Sequence, residues 1–190
     1  MTVRGSALAA LALLVVPAGA SRADPGVLDQ IMARLAAAPS RETRFVADKH
    51  VAALAQPVHS AGRMLYRKPD HLEQITQTPQ PERLVIDGGS VSISSPGQPT
   101  RRLGLDDSPA LRILADTLLG AVSGNRAALA RHFRIAEQGP LQAWRITLTP
   151  AGNVTAQVVR IAYIDGDGAE VRQIDIVQAN GDETRITLQP

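Results

Sequence analysis

The patterning of the chain predicts an α+β fold: one strongly curved antiparallel sheet with helices against its concave face. Three observations carry that expectation. Two blocks of period-two alternation flank a single helical insert, Gly- and Asn-containing turns separate many of the strands, and an amphipathic helix precedes the first block. Strands and helices are segregated, which argues against an alternating βαβ architecture, and both the helix stripes and one strand face need a common core.

The first helix starts at Asp24-Pro25, an N-cap acid with proline at the first position, and carries Val27, Leu28, Ile31, Met32 and Leu35 at helical spacing before Pro39. From Arg41 the period changes to two. Phe45, Ala47 and Val51 share one face, opposite Arg44, Asp48 and His50. Ser60 to Tyr66 alternates again, Lys68-Pro69-Asp70 makes a turn, and His71 to Thr78 forms a third strand closed by Pro79 and Pro81. Leu84 to Ile86 and Val91 to Ile93 form a hairpin around Asp87-Gly88-Gly89, because the glycines tolerate the positive φ of tight turns.

Asp107-Ser108-Pro109 begins a second helix whose apolar stripe comprises Leu111, Leu114, Ala115, Leu118, Leu119 and Val122, with Gly124 as its stop. Asn125 caps a short third helix running through Leu129 and His132. Strand character returns at Arg134 to Glu137, Trp144 to Thr149 and Gln157 to Ile164. Asp165-Gly166-Asp167-Gly168 and Asn180-Gly181-Asp182 then provide turns flanked by Val171 to Val177 and Thr184 to Leu188, giving a closing meander.

Residues 1–23 read as a secretory signal peptide. Arg4 supplies a positive start, Ala7 to Val16 an apolar run, and Ala18-Gly19-Ala20 or Ser21-Arg22-Ala23 a cleavage site, the second being preferred. The apolar run falls short of the roughly 20 residues a membrane-spanning helix needs. With Arg4 and Arg22 removed, the formal charge of +2 falls to about zero. An exported domain over residues 24–190 is therefore expected. Mixed charges and only 3% aromatic residues exclude a nucleic-acid partner, and the absence of cysteine excludes a disulfide framework or a lipid-acceptor cysteine.

No catalytic constellation emerges. His50, His59, His71 and His132 form no i, i+4 pair, so no metal site is expected and no cofactor is implied. Asp165, Asp167 and Glu170 lack the twelve-residue spacing of a calcium loop and suit a hairpin better. No Gly-x-Ser-x-Gly elbow or phosphate-binding glycine loop is present, leaving a periplasmic hydrolase without an affirmative sign. The Leu111 to Val122 stripe has two readings: permanent core, or a lid over an apolar cavity.

In this order, the segments resemble the LolA-like proteins, periplasmic lipoprotein carriers of Gram-negative bacteria, and particularly their divergent branch. The landmarks are the Phe45 strand, the stretch from Gly62 through Tyr66, Lys68 and Pro69 to Leu72, the Leu84 to Val91 hairpin, the helical insert, Trp144 to Pro150 and the final hairpin. The resemblance implies an incomplete antiparallel barrel covered by helices and enclosing a hydrophobic cavity. Phe45, Met64, Tyr66, Leu72 and Trp144 would line it, with Leu111, Leu114 and Leu118 in the movable lid. Lys68 stands where the family places an arginine that holds the lid; lysine keeps the charge and loses the planar fork.

The implied function is that of a monomeric carrier of acylated lipoprotein or related lipid cargo, passed from an inner-membrane release complex to an outer-membrane acceptor. The alternative is an RseB-like lipid or lipoprotein sensor that works through a stable protein complex.

Overall fold

The computed structural model describes residues 26–38 and 40–189. The signal-peptide assignment, and Asp24, Pro25 and Pro39, lie outside these residues. The first helix, α1, spans Val27–Ala37 with Gly26 at its cap, and buries Leu28, Ile31, Met32 and Leu35 along one stripe. Six strands follow: β1 (Ser40–His50), β2 (Val58–Arg67), β3 (His71–Thr78), β4 (Glu82–Asp87), β5 (Ser90–Ser94) and β6 (Arg101–Gly104). The helical insert comprises α2 (Pro109–Ser123) and α3 (Arg126–Ala130). The chain continues through β7 (Phe133–Gln138), β8 (Trp144–Pro150), the one-turn α4 (Asn153–Ala156), β9 (Val159–Asp167), β10 (Glu170–Gln178) and β11 (Glu183–Gln189).

All eleven strands form one antiparallel sheet, ordered β6-β5-β4-β3-β2-β1-β11-β10-β9-β8-β7. Its two halves are meanders running outward from a central β1–β11 pair, where Phe45 faces Leu188 and Ala47 faces Ile186. The edge strands β6 and β7 do not pair with each other, so the sheet is an incomplete barrel. Because α2 and α3 connect those two edges, the insert must cross from one side of the sheet to the other. It thereby covers the apolar face, and the fold class is the one the patterning predicts.

Alternation decides which side chains enter the core. Phe45 and Ala47, Met64 and Tyr66, Trp144, Ile146 and Leu148, and Ile186 and Leu188 are buried at every second position of their strands. Val171 and Ile174 are three apart and yet both buried, because a register irregularity between Val171 and Gln173 restores the inward phase.

Local chemistry fixes the insert. The Ser108 hydroxyl accepts from the Leu111 N–H at 3.3 Å, and Pro109 occupies the first turn of α2. The Asn125 side chain accepts from the Ala128 N–H at 3.0 Å and caps α3. Such caps contribute about 1 kcal/mol each. Gly124 ends α2 with φ +67°, and a Cβ there would lie 2.5 Å from the Met32 carbonyl oxygen and 2.7 Å from the Leu35 Cβ. A bare backbone is therefore what lets α2 end directly against α1, beside an ion pair between Arg126 and Asp29.

Four expectations shift. β1 ends at His50, leaving half-buried Val51 beyond the strand instead of on its inner face. The helix expected to run to His132 stops at Ala130. Gln157 caps α4, so β9 starts at Val159. The strand also continues through Asp165, Gly166 and Asp167, and its turn falls at Gly168 and Ala169. Gly166 pairs with Val171 and Trp144 in the sheet, and it is glycine because the Trp144 ring lies over it: a Cβ would come within 2.1 Å of the indole. The short edge strand β6 was not apparent in the pattern, since Arg101 and Arg102 hide its alternation.

Candidate functional site

At one rim of the barrel the start of β1, the end of β2, the start of β10 and the end of β11 lie side by side, as antiparallel order requires. The last turn of α2 lies across them. Between these elements is a cavity of about 530 Å³. Met64, Tyr66, Val122, Val171 and Leu188 supply its apolar wall, whereas Arg41, Glu42, Glu170 and Arg172 supply charge.

The rim is organised around Arg41. Its guanidinium donates to the Ala169 carbonyl at 2.5 Å, in the β9–β10 turn, and to the Leu35 carbonyl at 3.4 Å, in the last turn of α1. One side chain thus ties the helical cover to the sheet, favourably placed at the negative end of the helix dipole. Burial lowers the Arg41 pKa, with the field of Glu170 acting in the opposite direction. Tyr66 is held locally: its hydroxyl donates to the Pro69 carbonyl at 3.1 Å, and burial raises its pKa, with Ser123 of α2 acting in the opposite direction.

The residues expected to line a cavity divide into three groups. Met64 and Tyr66 are in its wall. Phe45, Leu72 and Trp144 are each about 1% exposed and belong to the filled core, with the Trp144 indole donating to the Gly168 carbonyl at 3.3 Å. Leu111, Leu114 and Leu118 are half-buried and pack against that core, while Val122 is the α2 residue that reaches the cavity. Lys68 is exposed in the turn before a cis proline. At this rim Arg41 joins α1 to the sheet by hydrogen bonds.

Arg41 was not singled out by sequence, because its partner turn is 128 residues away. Val171 and Leu188 had a usable sign in their strand alternation, and Val122 in the apolar helix stripe.

Several charged groups outside this rim have close partners. Asp48 lies 2.5 Å from His59, Asp87 lies 3.3 Å from His71, and buried Asp116 lies 2.8 Å from His132 and 3.2 Å from Arg131. Asp165 accepts two hydrogen bonds from Arg145, at 2.6 and 2.9 Å. Among the described residues no three His, Asp or Glu side chains converge as a metal site. No described helix is long and apolar enough to cross a membrane.

An open, curved sheet with a helical cover and an apolar-walled space between them defines a binding module of the half-barrel type. The chain belongs to the outer membrane lipoprotein carrier protein LolA-like family, whose model matches residues 18–189. Members of that family are lipid- or lipoprotein-binding proteins that act outside the cytoplasm. No curated protein sequence matches the chain.

Among solved structures, a LolA superfamily protein from Nitrosomonas europaea aligns with TM-score 0.44 and 8% identity, over 86% of this chain and 90% of that one. A putative outer membrane lipoprotein-sorting protein domain from Vibrio parahaemolyticus gives 0.44 and 7%, over 86% and 89%. The Pseudomonas aeruginosa MucA/MucB complex gives 0.42 and 11%, over 85% of this chain and 54% of that one, so this chain spans about half of that neighbour.

Proposed function

We propose that this protein is a periplasmic carrier that takes acyl chains of lipoproteins or related lipids into the rim cavity and transfers them towards the outer membrane. The observation that carries the reading is the cavity itself, walled by Met64, Tyr66, Val122, Val171 and Leu188 beneath the end of α2. The space lies at the rim, beside the filled core, and opens outward. Family membership supports the same direction.

The energetics suit a carrier. Each methylene removed from water contributes about 0.8 kcal/mol, so complete enclosure of several chains would oppose release. A cavity open at the rim covers its cargo in part and keeps an exit. Arg41, by joining α1 to the sheet, would help set how readily the cover separates from it. An inner-membrane release complex would load the cavity and an outer-membrane acceptor would empty it.

Native mass spectrometry of protein purified from the periplasm, followed by lipid extraction and transfer to acceptor membranes, tests the reading. Bound acylated cargo and its transfer are expected. A protein that is empty and refuses acyl probes would refute it, and a stable regulatory complex without transfer would favour the sensor alternative.

A further inference from the structure

The capacity of the cavity and the charges at its mouth narrow the cargo further. A space of about 530 Å³ falls in the range of pockets that take one ligand of modest size, and an amphiphile with a single long acyl chain is of that size.

The mouth carries two arginines and two glutamates, and they are not equally paired. Glu42 pairs with Arg63 at 3.1 Å, and Glu170 pairs with Arg172 at 2.8 Å. Arg41 forms no ion pair among the described residues, although it lies in the cavity lining and is partly buried. Its two hydrogen bonds go to neutral carbonyls, which leaves further donors on a group with five N–H bonds. Glu170 acts on Arg41 through its field without forming an ion pair with it, and an anion delivered at the mouth would be bonded directly by the remaining donors. The apolar wall begins directly beside it, at Met64, Tyr66 and Leu188.

We propose that the cavity accepts a single-chain anionic amphiphile, with one acyl chain along the apolar wall and a carboxylate or phosphate head group on Arg41. This rests on the acyl-cavity reading and adds both the number of chains and the sign of the head group. A fatty acid and a lysophospholipid share that chemistry.

The test uses delipidated protein and displacement of a fluorescent acyl probe by three palmitoyl compounds: palmitate, lysophosphatidylglycerol and neutral monopalmitoylglycerol. The wild type should bind at least one anionic compound about tenfold or more tightly than the neutral one, and comparing palmitate with lysophosphatidylglycerol shows which head group is preferred. Arg41→Gln should reduce the preference, read as the ratio of anionic to neutral affinity within the same variant, to within about twofold, and Arg41→Lys should retain most of it.

Equal binding of anionic and neutral compounds by the wild type, a measurement that needs no variant, would overturn the head-group assignment. An unchanged preference in Arg41→Gln would do the same. Uptake of multi-chain lipoprotein with rejection of all three compounds would overturn the single-chain assignment and leave the carrier reading intact. Failure of every acyl ligand, lipoprotein included, would remove the carrier reading instead.

Discussion

Replacing Gly124 by alanine tests how the helical cover is assembled. The residue sits at φ +67°, where an L side chain costs about 1 to 2 kcal/mol. The added Cβ would also lie 2.5 Å from the Met32 oxygen, 2.7 Å from the Leu35 Cβ and 2.8 Å from the Ala36 nitrogen. All three atoms belong to α1, and two are backbone, so relief requires the helices to separate. Overpacking of this kind adds about 1 to 3 kcal/mol. The expected total is about 2 to 5 kcal/mol, equivalent to a fall in Tm of roughly 5 to 15 °C for a domain of this size.

Thermal unfolding followed by circular dichroism measures that fall, and hydrogen exchange should show faster opening at the end of α1, where Leu35 accepts from Arg41. An unchanged Tm would refute the close approach of α1 and α2. A lower Tm without faster exchange in α1 would refute the link between Gly124 and the rim.

Val122→Asp places a carboxylate in the cavity wall and should weaken acyl-probe binding about tenfold or more, whereas Leu114→Asp, outside that wall, should change affinity less; probe titrations on folded variants decide between them. Asp116→Asn removes the charge that holds Arg131 and His132 and should cost about 1 to 3 kcal/mol in chemical denaturation. The Arg83 guanidinium, 2.6 Å from buried Glu73, holds that carboxyl below its ordinary value, the chief cause being their hydrogen bond. The pair therefore stabilises the fold at neutral pH, and its contribution is lost as pH falls from about 4.5 through the lower folded value. Tm measured from pH 6 to 3 should fall less steeply for Glu73→Gln than for the wild type, and parallel curves would contradict the assignment.

Elements set by nearby residues were legible in the sequence. Ser108, Gly124 and Asn125 announced the limits of α2 and the start of α3, and β3 spans His71–Thr78 as its alternation and flanking prolines indicated. Packing over long chain separations was not legible. Trp144 and Phe45 offered large apolar surface, which fits a cavity wall or a filled core equally well, and only the opposing elements decide for the core. Arg41 looked like the polar beginning of a strand, because nothing in its neighbourhood discloses that the Ala169 turn will meet it. The extra residue between Val171 and Gln173 likewise changes phase only through pairing with β9.

The attachment of α2 and α3 to both unpaired edges has a mechanical consequence. A flap hinged at one end can swing while the body beneath it keeps its shape; a strap fastened at both ends cannot. Raising this strap draws on β6 through residues 105–108 and on β7 through residues 131–132, so widening the mouth and flattening the sheet are a single motion. A partner could therefore loosen the contents by pulling on the outermost strands, without touching the interior.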